Sequence, residues 1–415
     1  MNEHAFLPSV AWVSPFVALL LGIAVLPLAA PHFWESNRNK LIVSALLGVP
    51  VLALYAMQAP AAIGHAAEDY VSFMILLGSL FVISAGVVMD GDLKATARVN
   101  TAFLGLGAVL ASFVGTTGAS MLLIRPLLRT NSERHRTVHT VVFFIFLVSN
   151  IGGTLTPLGD PPLFLGYLQG VPFTWTFRLA PEWLFTTGLL LAVYYVWDRW
   201  ELSRESPSSL KADSEYTEPL SVRGAENLLW LGGIIGAAAF LSAPWREVVM
   251  VGVAAMSLIR TPKGLHQANQ FSYHPILEVA AVFAGIFATM IPALDLLRAH
   301  GAALGVTHEW QFFWATGVLS SFLDNAPTYL TFLALAQGQG LASEVVGVPH
   351  HILAAISLGA VFMGANSYIG NAPNFMVRSI AESRGVKMPS FGGYMLYSGA
   401  ILLPVFLLVT WIFFV

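Results

Sequence analysis

Apolar runs about 20 residues long recur from one end of this sequence to the other, and a helix of that length crosses a bilayer. Inside lipid every backbone N–H and C=O must be paired within the protein, which leaves helices as the structure for runs of this length. Ten runs read as spans, at about 11–30, 41–57, 71–89, 137–168 and 182–199, then 225–241, 246–259, 274–292, 350–383 and 391–414. Composition agrees: 56% of residues are hydrophobic and 10% charged, where a soluble domain carries about 25% charged residues. The expected fold is an all-α polytopic membrane protein. With no cysteine in the chain, disulfides, thiolate metal sites and cysteine nucleophiles are excluded. Met1-Asn2-Glu3-His4 carries no Lys or Arg ahead of the first run, so a cleaved signal peptide is not expected.

Two further apolar stretches, about 99–129 and 308–338, are broken in the middle by polar or Gly/Pro residues. Each is too long for one span and too interrupted for two, and reads as a re-entrant hairpin, whose irregular backbone must line a protein cavity. The longest polar stretch, Arg199 to Arg223, with Ser203, Pro207, Ser208 and Ser209, reads as a solvated cytoplasmic linker. The chain then divides into a first repeat at 1–199, the linker at 200–223 and a second repeat at 224–415, each repeat with five spans and a hairpin. An odd number of spans per repeat inverts the second relative to the first. This topology puts seventeen of the twenty Lys and Arg residues on one side and only Arg178, Arg246 and Arg298 on the other. The positive-inside rule makes the rich side cytoplasmic and both termini external.

The repeat is visible in the residues. Leu158-Gly159-Asp160-Pro161-Pro162-Leu163-Phe164-Leu165 aligns with Ile369-Gly370-Asn371-Ala372-Pro373-Asn374-Phe375-Met376, and Gly153 falls on Gly364. The hairpin tips Gly115-Thr116-Thr117-Gly118-Ala119-Ser120 and Leu323-Asp324-Asn325-Ala326-Pro327-Thr328 correspond less closely, with Thr116 opposite Asp324.

A helix broken in mid-membrane exposes free N–H groups at one end and free C=O groups at the other, with matching partial charges. A pair of breaks can therefore hold a cation or an anion. One expected site comprises Thr116, Thr117, Gly118 and Ser120 with Asn150, Gly152, Gly153, Thr154 and Thr156. The other comprises Asp324, Asn325, Thr328, Asn366, Ser367 and Asn371. Their neutral oxygens suit a hard cation such as Na⁺. Against this, Thr and Ser also bond back to their own helix, and Asn side chains also join helix to helix. Acidic residues inside a membrane are costly and mark ion or proton pathways. Asp160, Asp324 and Glu278 are the proton-coupling candidates. For Asp160 the competing reading is a turn before Pro-Pro, for Asp324 a helix cap, for Glu278 an interfacial role. Asp90-Gly91-Asp92 reads as a solvated turn, the Arg125-to-Arg136 cluster as positive-inside charge with Arg125 at the cytoplasmic mouth, and the histidines lack metal-ligand spacing. No P-loop is present, so transport is expected to draw on an ion gradient.

At Ser149-Asn150-Ile151-Gly152-Gly153-Thr154-Leu155-Thr156-Pro157-Leu158-Gly159-Asp160-Pro161-Pro162 and Asp324-Asn325-Ala326-Pro327-Thr328, the chain resembles the ion transporter superfamily. Within it the chain is similar to sodium/proton antiporters of the NhaD type and to the putative citrate transporters grouped with them. The resemblance implies two inverted repeats with re-entrant hairpins, a homodimer in the inner membrane, and elevator-like motion. It carries Asp324 and Asn325 onto the acidic hairpin motif and Asp160 onto the Gly-Asp pair of the broken helix. Dicarboxylate symporters have Ser-Asn-Thr at both tips, where this chain has Thr116-Thr117-Gly118 and Asp324-Asn325-Ala326. The leading expectation is Na⁺(Li⁺)/H⁺ antiport; the alternative is Na⁺- or H⁺-coupled symport of citrate or another small carboxylate. A membrane-embedded enzyme is a distant third, because the only interfacial acid pair is Asp90 with Asp92. No cofactor and no nucleic-acid partner are expected; the partners are the lipid bilayer and the transported ion.

Overall fold

The computed structural model describes residues 6–215 and 217–415. Met1 to His4, on which the reading of an uncleaved amino terminus rests, lie outside the described residues, as does Tyr216 in the linker. In chain order the helices are α1 (Ser14–Ala29), the single turn α2 (Pro31–Trp34), α3 (Asn37–Gln58) and α4 (Pro60–Ser84). Strand β1 (Val88–Asp92) comes next, followed by α5 (Ala97–Val114) and α6 (Thr116–Thr130). The first broken helix is α7 (Val138–Leu147), a 3-10 turn at Ile151–Thr154 and α8 (Pro161–Leu168); α9 (Ala180–Leu202) follows it. Then come α10 (Pro207–Glu215), β2 (Glu218–Arg223), α11 (Glu226–Phe240), α12 (Trp245–Arg260), α13 (Lys263–Ala268), α14 (His274–Thr289) and α15 (Ile291–His300). The chain ends with α16 (Glu309–Ser320), α17 (Asn325–Gln337), the second broken helix α18 (His350–Met363) with α19 (Ala372–Ser383), and α20 (Phe391–Phe413).

Among the described residues six helical stretches are long and apolar enough to cross a membrane, and α14 with α15 makes a seventh, bent by 41°. The protein is a mostly helical, multi-pass membrane protein. α5 is one of the six, although the sequence reads it as a hairpin arm; α7, α11 and α18 are shorter apolar helices. α7 and α18 are buried over nearly their whole length, as expected of helices apolar all round. α3 and α20 instead leave Leu46 and Leu396 exposed, the pattern of helices that face lipid.

Four expectations need correction. The third span starts at Pro60 rather than near 71, because proline at the first helical position sets the helix going and the polar residues His65, Glu68 and Asp69 fit its outer turns. The fold is not all-α, and 200–223 is not a simple solvated linker. β2 pairs antiparallel with β1, Val88 opposite Arg223 and Asp90 opposite Ser221. Ser209 and Asp213 of α10 are buried, and Asp213 Oδ1 accepts from the Ala95 amide at 2.9 Å. Asp90-Gly91-Asp92 is strand, not turn. Gly91 sits at a bulge with φ +130°, where a side chain would stand 2.8 Å from Leu220 Cα. Asp90 is held by Arg223 at 2.5 Å and Arg129 at 3.6 Å. Burial pushes the carboxyl of Asp92 up from its ordinary value, with Glu133 and Asp213 adding to it.

α3 packs against α14 and α4 against α12; α6 packs against α19 and α17 against α8. The last two contacts bring the breaks of both halves together.

A buried carboxylate where the broken helices meet

Asp160 is the residue before α8, and Asn371 the residue before α19. Both are extended, with φ/ψ of −142°/142° and −151°/141°. A residue in this position ordinarily turns its side chain back onto the second or third amide of its own helix. Here proline removes the second amide, at Pro162 and at Pro373. The third, of Leu163 or Asn374, is taken by the backbone carbonyl of Asp160 or Asn371 at 3.1 Å. Neither side chain caps its helix, so both are free to point at other elements.

They point at each other. Asn371 Nδ2 donates to Asp160 Oδ1 at 3.0 Å and to the Ser149 carbonyl at 3.2 Å. Thr116 Oγ1, at the start of α6, donates to Asp160 Oδ1 at 2.9 Å, and Asn325 Nδ2, at the start of α17, donates to Oδ2 at 2.5 Å. One carboxylate thus collects donors from the starts of α6 and α17 and from the residue before α19, all three neutral. Asp160, Thr116, Asn325 and Asn371 are buried. Gly115, at φ +82°, turns the chain into α6, and the Thr116 amide donates to the Gly159 carbonyl at 2.8 Å. Gly153 lets these groups approach: a Cβ there would stand 2.7 Å from Thr116 Cγ2 and 3.0 Å from Asp160 Cβ.

A second layer holds the breaks in place. Asn150 Nδ2 donates to Asn374 Oδ1 at 2.7 Å and to the Ile145 carbonyl at 2.8 Å. Asn374 Nδ2 donates to the carbonyls of Gly364 and Ser367, both at 2.9 Å. Thr156 Oγ1 donates to the Ser112 carbonyl and accepts from the Leu158 amide at 3.2 Å. Ser367 Oγ does the same in the other half, to the Ser321 carbonyl at 2.5 Å and from the Ile369 amide at 3.2 Å. Ser120 and Ser149 share a hydroxyl hydrogen bond of 2.8 Å, and Asn366 Nδ2 donates to Ser321 Oγ at 2.9 Å. The amide oxygens of Asn150, Asn325 and Asn366 are buried without a protein partner.

Other expected residues stand apart from this cluster. Asp324 is half-buried, and its Oδ1 caps α17 by accepting from the Ala326 amide at 3.0 Å. Thr328 bonds back to the Asp324 carbonyl at 2.9 Å and Thr154 to the Ile151 carbonyl at 2.7 Å. Thr117 is half-buried, and Gly118 lies against Ser84, whose Oγ would be 2.7 Å from an added Cβ. Glu278 is paired with Lys40 of α3 at 2.8 Å. α6 starts at Thr116 and α17 at Asn325. The tip alignment is therefore one residue out: Thr116 corresponds to Asn325, and Gly115 to Asp324. Sequence reasoning passed over Ser112, Ser149, Ser321 and Asn374. Asn374 stands in the repeat motif where the first half has Leu163, and that polar-for-apolar exchange was the available signal.

A family model described as "Putative citrate transport" matches residues 5–414. No curated protein matches the chain.

Proposed function

The chain belongs to the putative citrate transport family, and on that premise we propose that it is a secondary transporter exchanging Na⁺ or Li⁺ for H⁺ at Asp160. The observation that carries the reading is a buried carboxylate whose hydrogen-bond partners, Thr116, Asn325 and Asn371, are all neutral. A buried negative charge without a fixed positive partner is costly. A proton or a metal cation relieves that cost, and the two compete for the same oxygens. Asn325, which touches Asp160, carries an amide oxygen without a protein partner that can serve the cation, and Asn150 and Asn366 carry two more.

Two inverted repeats explain why the site forms where it does. In that reading α3 on α14 and α4 on α12 are one contact made twice, and so are α6 on α19 and α17 on α8. Repeats 1–199 and 224–415 would then meet at Asp160 and Asn371, with the hairpins entering from opposite faces and both termini outside the inner membrane. Asp324, near the same breaks, contributes field rather than contact, and a homodimer would carry two such sites.

A second reading, Na⁺- or H⁺-coupled uptake of citrate or a similar carboxylate, is favoured by the family's description. The amides of Asn325 and Asn371 already donate to a carboxylate, the one on Asp160, and a cargo carboxylate needs the same kind of donor.

Purified protein in liposomes with an internal pH dye separates these. Na⁺ or Li⁺ pulses should dissipate a pH gradient where K⁺ does not. Asp160→Asn should slow the exchange about 100-fold, because the carboxylate on which proton and cation compete is lost. Absence of any Na⁺- or Li⁺-driven signal, or full exchange by Asp160→Asn, would sink the first reading. Labelled citrate uptake that requires Na⁺ would establish the second.

A further inference from the structure

α8 and α17 both start beside Asp160, at Pro161 and Asn325, and pack against each other on the way to one end of the molecule. Gly166 makes the contact close: a Cβ there would stand 2.9 Å from Tyr329 Cζ. At that end α8 finishes in Gln169, its C-cap, and α17 in Gln337. One side chain gathers both. Arg298 of α15 donates Nη2 to Gln169 Oε1 at 3.3 Å and Nε to Gln337 Oε1 at 3.1 Å. Gln169 Nε2 donates onward to Asp69 Oδ2 of α4 at 2.7 Å. Arg298 Nη1 lies 4.0 Å from Asp295 Oδ1, and Asp295 Oδ2 accepts from Tyr55 of α3 at 2.8 Å. The polar chain therefore starts on α3, ends on α4, and ties the far ends of both site helices in between.

The opposite end is built differently. α6 and α19 also start at the site, at Thr116 and Ala372, and pack together. Among the described residues no shared side chain gathers their far ends. Arg125 of α6 donates to Gln270 at 3.4 Å in an exposed bond, and Arg378 of α19 pairs with Glu382 of its own helix at 3.0 Å.

We propose that Arg298, with Asp69, Gln169 and Gln337, is a latch that closes the Asp160 site toward its own face of the membrane, and that its release opens the site to that face. The proposal rests on the reading of Asp160 as the transport site. Hydrogen bonds between a partly exposed arginine and neutral amides are individually weak, so they can break and re-form thermally and bias a two-state equilibrium without freezing it. The fork geometry of arginine matters, because one lysine ammonium presents no planar pair of donors.

The chain has no cysteine, so Thr116→Cys places a single reporter thiol against Asp160. Its labelling by a membrane-impermeant maleimide is measured from each side of sealed vesicles. Adding Arg298→Gln should raise labelling from the Arg298 face about ten-fold and leave or lower labelling from the other face. Arg298→Lys should fall between the two. An unchanged rate from the Arg298 face overturns the latch. An equal rise from both faces also overturns it, because Arg298 would then brace the fold as a whole. In a second measurement, Asp69→Cys with Gln169→Cys is bridged by a short bis-methanethiosulfonate in liposomes. Flux should stop when the bridge forms and return with reductant; flux that continues through the bridge overturns the proposal. Labelling reports the latch without reference to any ion. Absent flux beside face-specific labelling therefore rejects the transport reading and leaves the latch standing.

Discussion

Asp160 and Asp324 are two carboxylates in the same local position, each immediately before a helix that begins inside a break, yet only one of them is free. Asp324 has Ala326 two residues on, whose amide it takes at 3.0 Å. Asp160 has Pro162 there, which offers no amide, and its oxygens turn instead to Thr116, Asn325 and Asn371. A single proline thus separates a structural cap from a ligand-seeking carboxylate. Asn371 completes the comparison: proline at 373 frees it in the same way, but it carries no charge.

The comparison can be broken most forcefully by moving the charge. Asp160→Asn alone should lose about 100-fold in flux. Adding Asn371→Asp should recover part of it, because the two side chains occupy matching backbone positions. No recovery would mean that the surroundings of the two breaks, and not only their caps, are specialised. Next in size, Pro162→Ala restores an amide that Asp160 can cap. Flux should fall about ten-fold, with thermal stability unchanged or raised by up to ~1 kcal/mol. Unchanged flux would mean that the proline does not govern where the carboxylate points. Asp324→Asn sharpens the other side, since asparagine caps as well as aspartate. Melting in detergent should stay within ~0.5 kcal/mol of wild type, and flux should drop only a few-fold through the lost field. Asp324→Ala should in addition cost about 1 kcal/mol of stability. The matched anchors come last, with an effect on stability and little on flux: Thr156→Val and Ser367→Ala should each cost about 1 kcal/mol in thermal unfolding. Clearly unequal losses would show that the two breaks are not held alike.

Much of this was legible without coordinates. Periodic apolar runs locate helices, because lipid leaves the backbone no other way to pair its polar groups. Asp160, Asn371, Thr116 and Asn325 stood out as polar residues in apolar surroundings, beside glycine and proline that interrupt the helix. The ribbon of β1 and β2 was not legible. Six residues of a charged linker carry no strand pattern until a partner edge is present, and that edge lies in a segment more than a hundred residues earlier. The tip register was missed by one for a related reason: alignment by residue type matched Thr116 to Asp324, whereas helix starts match Thr116 to Asn325.

What the sequence by itself determined is a membrane-embedded helical chain with broken helices, and a small set of polar residues that must find partners inside it. Which partners they find was decided only by tertiary structure. Hydrogen bonds between Asp160 and Asn325 or Asn371 join positions separated by 165 and 211 residues. No local propensity reports such distances. They follow from α6 packing on α19 and α17 on α8, which carries the start of each helix to the same point and leaves Asp160 there without a cap of its own.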